Sequence, residues 1–98
     1  MFVQLIKLDN DPKKYKMIFY DENKKKVKST KFGASGMSDY TIHKDKERRQ
    51  RYLDRHRKNE RWDKPMTAGS LSRFILWNMP TIKGSFADYR RRFRFKLY

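Results

Sequence analysis

The chain has 98 residues, a length that gives one small domain with a single modest core. It carries 26 Lys and Arg against 11 Asp and Glu, a formal net charge of +15, and it has no cysteine. Disulfides and cysteine-ligated zinc are therefore excluded, an intracellular setting fits, and no apolar run of about 18 residues is present to span a membrane. A charge this high indicates an acidic partner: nucleic acid, an anionic membrane surface or an acidic protein surface.

Residues 1–33 predict an antiparallel β-meander. The apolar run Phe2–Leu8 has no basic segment before it and no cleavage site after it, so it is expected to be a strand and not a signal peptide. The run Tyr15–Tyr20 has the period of two that marks a strand. Lys26–Phe32 predicts a weaker third strand, in which the opposite parity of Val27 and the final phenylalanine requires a bulge or a shifted register.

The loop after the meander contains Gly33 and Gly36. Two glycines at this spacing can cradle a phosphate with their N–H groups, but a sharp turn after the strand is favoured. Ser38, Asp39 and Thr41 can each cap the helix that follows.

A charge-dense helix is predicted from about His43 to Glu60, because no Pro or Gly interrupts it and its charges suit the helix dipole. Tyr52, Leu53 and His56 form its narrow buried stripe. In one interpretation the charged face of this helix is only solvated. Ion pairs between residues four apart would then stabilise the helix, namely Asp45–Arg49, Glu47–Arg51 and Asp54–Lys58. Against that alternative stands an excess of unpaired basic residues. The candidate residues for binding a partner or nucleic acid are Lys44, Arg48, Arg49, Arg51, Arg55, Lys58, Arg90, Arg91, Arg92 and Arg94.

Neither catalysis nor metal binding is predicted. His43 and His56 are thirteen positions apart without cysteine partners, which is not a metal-ligand spacing. The first is expected to be a polar or capping residue, and the second to pack its ring. Asp39 and Asp45 near a histidine do not make a triad pattern, so we expect no enzyme and no cofactor.

Two further helices and a tail complete the predicted fold. Thr67 caps a largely buried helix over Ala68–Asn78, and Thr81 or Ser85 caps a third helix. The tail alternates apolar and basic side chains, which favours an edge strand over a flexible arm that orders on a partner. In that strand Phe93, Phe95 and Leu97 would point inward, and Arg94 and Lys96 outward.

The predicted class is α+β: one domain, residues 1–98, with a meander at 1–33, about three helices within 34–93, and a tail or edge strand at 94–98. Three blocks of the sequence carry a resemblance: FGASGMSDYTIHKDKERRQRYLDRHRKNERW, TAGSLSRFILWNMPT and SFADYRRRF. They resemble a family of small basic proteins of unknown function from nucleocytoplasmic large DNA viruses, the giant viruses of algae and amoebae. The resemblance covers about two thirds of the chain, Phe32–Phe93, and brings no catalytic residues.

The resemblance implies a viral protein made in the host cytoplasm, in the viral factory, and packaged in the virion. The first function expected is a minor capsid or virion-associated component that docks on other virion proteins through basic and aromatic surfaces. The alternative is a sequence-non-specific protein that binds viral DNA or RNA.

Overall fold

The computed structural model describes all 98 residues and is α+β, with a four-stranded mixed sheet and helices against one of its faces. The strands are β1 (Phe2–Lys7), β2 (Lys13–Tyr20), β3 (Lys26–Ala34) and β4 (Lys96–Leu97). The helices are α1 (Tyr40–His43), α2 (Lys46–His56), α3 (Ala68–Leu71), which continues as a π-helical turn over Ser72–Leu76, and α4 (Ile82–Phe93). None of these helices is long and apolar enough to cross a membrane.

The sheet has the order β3-β2-β1-β4, and its first three strands form the predicted antiparallel meander. Phe19 pairs with Lys28 and Tyr20 pairs with Lys26, so Val27 is an extra residue opposite β2. This bulge is the one that the parity of the third strand predicted. It returns the later residues of β3 to the register in which Phe32 is buried.

The tail forms the fourth strand, parallel to β1, but it is only two residues long. The inward set predicted for the tail is wrong only for Leu97, which is 58% exposed. Phe93 and Phe95 both pack on the core, although Phe93 does so as the last residue of α4 and not as part of a strand. The reason is Arg94, whose left-handed backbone (φ 58°) ends the helix and leaves only Phe95 of the tail packed on the core.

The core lies between the sheet and the last three helical segments. Burying these apolar side chains provides the main stabilisation, at about 25 cal/mol per Å² removed from water. Its members are Val3, Met17, Phe19 and Phe32 from the sheet, and Leu71, Phe74, Ile75, Leu76 and Tyr89 from the helices.

The predicted helix from His43 to Glu60 is wrong in extent. Asp39 caps a single turn, α1, which ends where Lys44 is left-handed (φ 55°). The carboxylate of Asp45 then accepts hydrogen bonds from the backbone N–H groups of Glu47 and Arg48, and this cap starts a new helix. The charge-dense helix is therefore α2 alone, and the basic residues from Arg57 onward follow it.

The threonine caps of the later helices are confirmed. Thr67 accepts from the N–H of Ser70 at the start of α3, and Thr81 accepts from Gly84 at the start of α4. Ser85 as a cap is wrong. It is buried inside α4, where its hydroxyl accepts from the N–H of Met79 and holds the preceding loop against the helix.

Candidate anion-binding site

The basic residues predicted on the first long helix are mostly exposed and unpaired. Lys44, Arg48, Arg51, Arg55 and Lys58 all point to solvent. Of the three predicted ion pairs only Glu47–Arg51 forms, at 4.0 Å between exposed side chains. Asp45 is occupied as a cap, and Asp54 accepts from the amide of Gln50. Two of the three predicted ion pairs are therefore absent, and most of these cations have no bonded carboxylate.

Arg49 is the exception, because its side chain turns inward and is half-buried. Its Nε donates to the backbone oxygens of Trp77 at 3.1 Å and Asn78 at 3.0 Å. These carbonyls lie where the π-helical turn ends and have no helical N–H partner, so they attract a cation. The expectation of an exposed Arg49 is therefore wrong, and the residue ties α2 to the end of the next helical segment.

Arg73, in the π-helical turn, donates through Nη1 to the same oxygen of Trp77 at 3.3 Å. Its guanidinium lies 5.4 Å from the ring centre of Trp62 and 4.9 Å from that of Phe74. Its Nε is buried and has no hydrogen-bond partner. Burial, and then repulsion from Arg49 and other arginines, lowers the pKa of Arg73 to about 10.

Arg92, near the end of α4, completes the group. Its guanidinium lies 4.8 Å from the ring centre of Phe74, the ring that Arg73 also contacts. The two guanidinium groups are therefore within about one Debye length of each other. Its Nη2 donates to Asp88 at 3.2 Å, the one carboxylate bonded to the group. We call Arg49, Arg73 and Arg92 the arginine junction, since they join α2, the π-helical turn and α4.

Asp88 does not neutralise the arginine junction. It also accepts from Arg91 at 2.9 Å and from the amide of Asn78 at 2.8 Å. Burial raises the pKa of Asp88, but the hydrogen bonds from Asn78, Arg91 and Arg92 outweigh that effect and the pKa is lowered. One ionised carboxylate thus faces several guanidinium groups, and the remaining positive charge suits an anion with several oxygens, which arginine binds through paired donors.

The structure brings together only part of the predicted C-terminal set. Arg92 lies in the arginine junction and Arg91 shares its carboxylate, whereas Arg90 is half-buried over the ring of Phe86 at 4.8 Å. Arg94 is exposed where α4 ends. Sequence reasoning missed Arg73, although a signal was present: it is the only charged residue in the apolar stretch 68–78.

The two histidines have packing roles. Nδ1 of His43 accepts from the N–H of Asp45, and burial, with the nearby charge of Arg48, lowers the pKa of this histidine. His56 stacks on Tyr52 with ring centres 4.2 Å apart, and Tyr52 stacks on Trp77 at 4.3 Å. No group of three or more metal-ligating side chains occurs in the structure.

The glycine loop forms a turn in which the N–H of Met37 donates to the oxygen of Ala34. Gly33 and Gly36 both have positive φ, at 77° and 84°. A cavity of about 330 Å³ opens beside this loop and the stacked rings of His56, Tyr52 and Trp77. Its one carboxylate, Asp39, is buried and already held by the ammonium of Lys14 at 2.6 Å, which makes it a structural group.

Comparison with known proteins identifies a family but no characterised relative. A family of unknown function (DUF5754) matches residues 3–56, from β1 to the end of α2, which is more than half of the chain. No curated protein and no solved structure matches. The chain belongs to this family, and the matched segment includes Arg49 but neither Arg73 nor Arg92.

Proposed function

We propose that this family member is a non-enzymatic protein that binds the phosphate backbone of nucleic acid at the arginine junction. The observation that carries the proposal is the site's unbalanced charge. Arg49 and Arg73 donate to the same carbonyl oxygen, Arg73 and Arg92 contact the same ring, and a single carboxylate is bonded to the group. Folding brings these like charges together at a cost, and a phosphate backbone supplies the missing negative charge.

The proposed binding is independent of base sequence. Contacts to phosphate oxygens position a protein on nucleic acid but carry no sequence information. The exposed cations Arg48, Arg51 and Arg55 on α2 extend the positive surface beside Arg49. The resemblance to giant-virus proteins supports a setting in the virion or the viral factory in the host cytoplasm, with viral DNA or RNA as the partner.

Fluorescence anisotropy with labelled duplex DNA tests this function. The expected result is similar affinity for two duplexes of unrelated sequence, and a steep fall in affinity as salt rises, with a slope of about −0.9 per phosphate contacted. No binding near physiological salt, or binding that does not change with salt, would contradict the proposal.

A minor capsid or virion-associated role is the second candidate, because a different observation favours it. Met37, Ile42 and Leu97 are 67%, 62% and 58% exposed, and they lie outside the arginine junction. Exposed apolar side chains suit docking on shell proteins. This role predicts a fixed ratio of the protein to shell proteins in particles that lack DNA. Recovery with the genome fraction alone would refute it.

A further inference from the structure

One face of the sheet lies away from the core cluster, because the core residues of β1 and β2 all lie on the other face. Strand residues alternate between the two faces, so the neighbours of the buried Val3 and Phe19 point away from the core. Phe2 and Tyr20 are cross-strand partners on this second face, and neither packs on the core. We call this side the outer sheet face. Its residues are Phe2, Gln4, Ile6, Lys16, Ile18, Tyr20, Ser29 and Lys31, with Lys96 and Tyr98 added by the tail.

An aromatic cluster occupies one end of the outer sheet face. The ring of Tyr98 stacks on that of Tyr20, with centres 3.8 Å apart and planes inclined by 13°. The backbone N–H of Tyr98 donates to the oxygen of Val3, which fixes the end of the chain beside β1. Tyr98 remains 49% exposed, so part of its ring is accessible from solvent.

Lysines surround these rings. The ammonium of Lys24 lies 5.1 Å from the ring centre of Phe2 and 5.8 Å from that of Tyr98, and the ammonium of Lys96 lies 5.5 Å from Phe2. Farther along the strands, Lys16 of β2 is paired with Lys31 of β3. Two like charges directly opposite in a sheet repel each other. The carboxylate of Asp11, which is bonded to Lys31 at 2.7 Å and lies near Lys16, offsets part of this repulsion.

Two carboxylates, Asp11 and Glu22, bond to lysines of this face. Four lysines therefore face two carboxylates, and the surface keeps a positive balance. Lysine is depleted at protein–protein interfaces, whereas open aromatic rings beside flexible cations are typical of surfaces that bind unpaired bases. A duplex hides the faces of its bases in the stack, and only a single strand can offer them to Tyr98.

We propose that the outer sheet face binds single-stranded nucleic acid, with bases stacked on Tyr98 and Phe2 and phosphates held by Lys16, Lys24, Lys31 and Lys96. This inference rests on the proposed function in taking nucleic acid as the partner, but it assigns a separate surface. Lys24 and Lys96 have flexible side chains that can swing from the rings to phosphates as bases arrive.

The test compares Tyr98→Ala with Leu97→Ala, a matched control because Leu97 is an exposed neighbour off the outer sheet face. The probes are a labelled oligothymidine strand of about 20 nucleotides and a duplex of the same length. Tyr98→Ala should weaken oligothymidine binding about five-fold to a hundred-fold and leave duplex binding unchanged. Leu97→Ala should change neither. Lys24→Gln should reduce the salt slope for oligothymidine by about 0.7.

Equal oligothymidine binding by Tyr98→Ala and the wild type, with an unchanged salt slope for Lys24→Gln, would overturn this inference while leaving duplex binding at the arginine junction intact. A wild type that binds duplex but not oligothymidine would do the same. A wild type that binds neither probe would overturn the proposed function as well, and association of the outer sheet face with a shell protein would then identify its occupant.

Discussion

Replacing Arg73 with methionine separates binding from stability. Methionine keeps an unbranched chain between the rings of Trp62 and Phe74 but carries no charge. The oxygen of Trp77 stays satisfied by Arg49, so the substitution leaves no unpaired carbonyl. Arg73→Met is therefore expected to weaken polyanion binding without unfolding the protein.

The expected change in the free energy of unfolding follows from the environment of the Arg73 guanidinium. Lowering the pKa of Arg73 from 12.5 to about 10 corresponds to about 3 kcal/mol, which solvent screening at this partly exposed side chain reduces to about 1–2 kcal/mol. Because the folded-state pKa is the lower one, this cost is fully present below about pH 10 and disappears as pH rises above it. The two ring contacts and one hydrogen bond, about 0.5–1 kcal/mol each, roughly offset it. At pH 7 the free energy of unfolding should stay within about 1 kcal/mol of the wild type.

Urea unfolding followed by circular dichroism gives this free energy, with and without inorganic polyphosphate. Lys83→Met is the control, because Lys83 is exposed on α4 and makes no ion pair. Its replacement lowers the net charge by the same amount as Arg73→Met. Polyphosphate should stabilise the wild type and the control more than Arg73→Met, since a ligand that binds only the folded state adds RT ln(1 + [L]/Kd). A loss of more than about 2 kcal/mol in Arg73→Met, or equal stabilisation of all three proteins, would refute the reasoning.

Three further outcomes are expected, each measured by urea unfolding. Gly33→Ala should destabilise more than Gly36→Ala: both have positive φ, but a Cβ at Gly33 would lie 2.6 Å from a buried leucine side chain, whereas nothing lies within 4 Å at Gly36. Equal costs would contradict the steric part of this account. Asp39→Asn should cost about 2–4 kcal/mol, because it leaves the ammonium of Lys14 uncompensated; a change below about 1 kcal/mol would show that the pair is not needed. The Asp88→Asn variant should bind polyanions more tightly, since the substitution frees arginines. The pKa of Asp88 is lowered in the folded state, so the wild type loses the stability that this carboxylate contributes as pH falls below about 4. The variant lacks the carboxylate and should therefore lose less stability over that range. An acid profile identical to that of the wild type would rule out this role of Asp88.

The strands and most helix starts could be predicted because their signals are local. The parity conflict between Val27 and Phe32 required a bulge, and the structure has one at Val27. Thr67 and Thr81 precede stretches with helical periodicity and cap them. In each case the determining residues lie within a few positions of one another in the sequence.

The break within the predicted long helix was harder to predict. Nothing in its composition requires Lys44 to be left-handed. The break follows from two competing caps, Asp39 and Asp45, each of which can start a helix. Arg49 was expected to be exposed for a similar reason, because its carbonyl partners lie 28 and 29 residues away and only the folded chain brings them near.

The candidate site is likewise a product of tertiary packing. Arg49, Arg73 and Arg92 lie on three separate helical segments. The sequence shows the excess of positive charge, and Arg49 and Arg92 were among the predicted binding residues. Sequence spacing could not predict that these two arginines lie near Arg73 in the folded chain. A lone arginine within an apolar helix marks a position where burial and charge conflict, and Arg73 is such a position.

The salt dependence of duplex binding by Arg73→Met tests the arginine junction most directly. If Arg73 contacts a phosphate, the slope of log affinity against log salt concentration should be shallower by about 0.9 in this variant than in the wild type. Lys83→Met should keep the wild-type slope. Equal slopes for the wild type and both variants would contradict the assignment of the phosphate-binding site to the arginine junction.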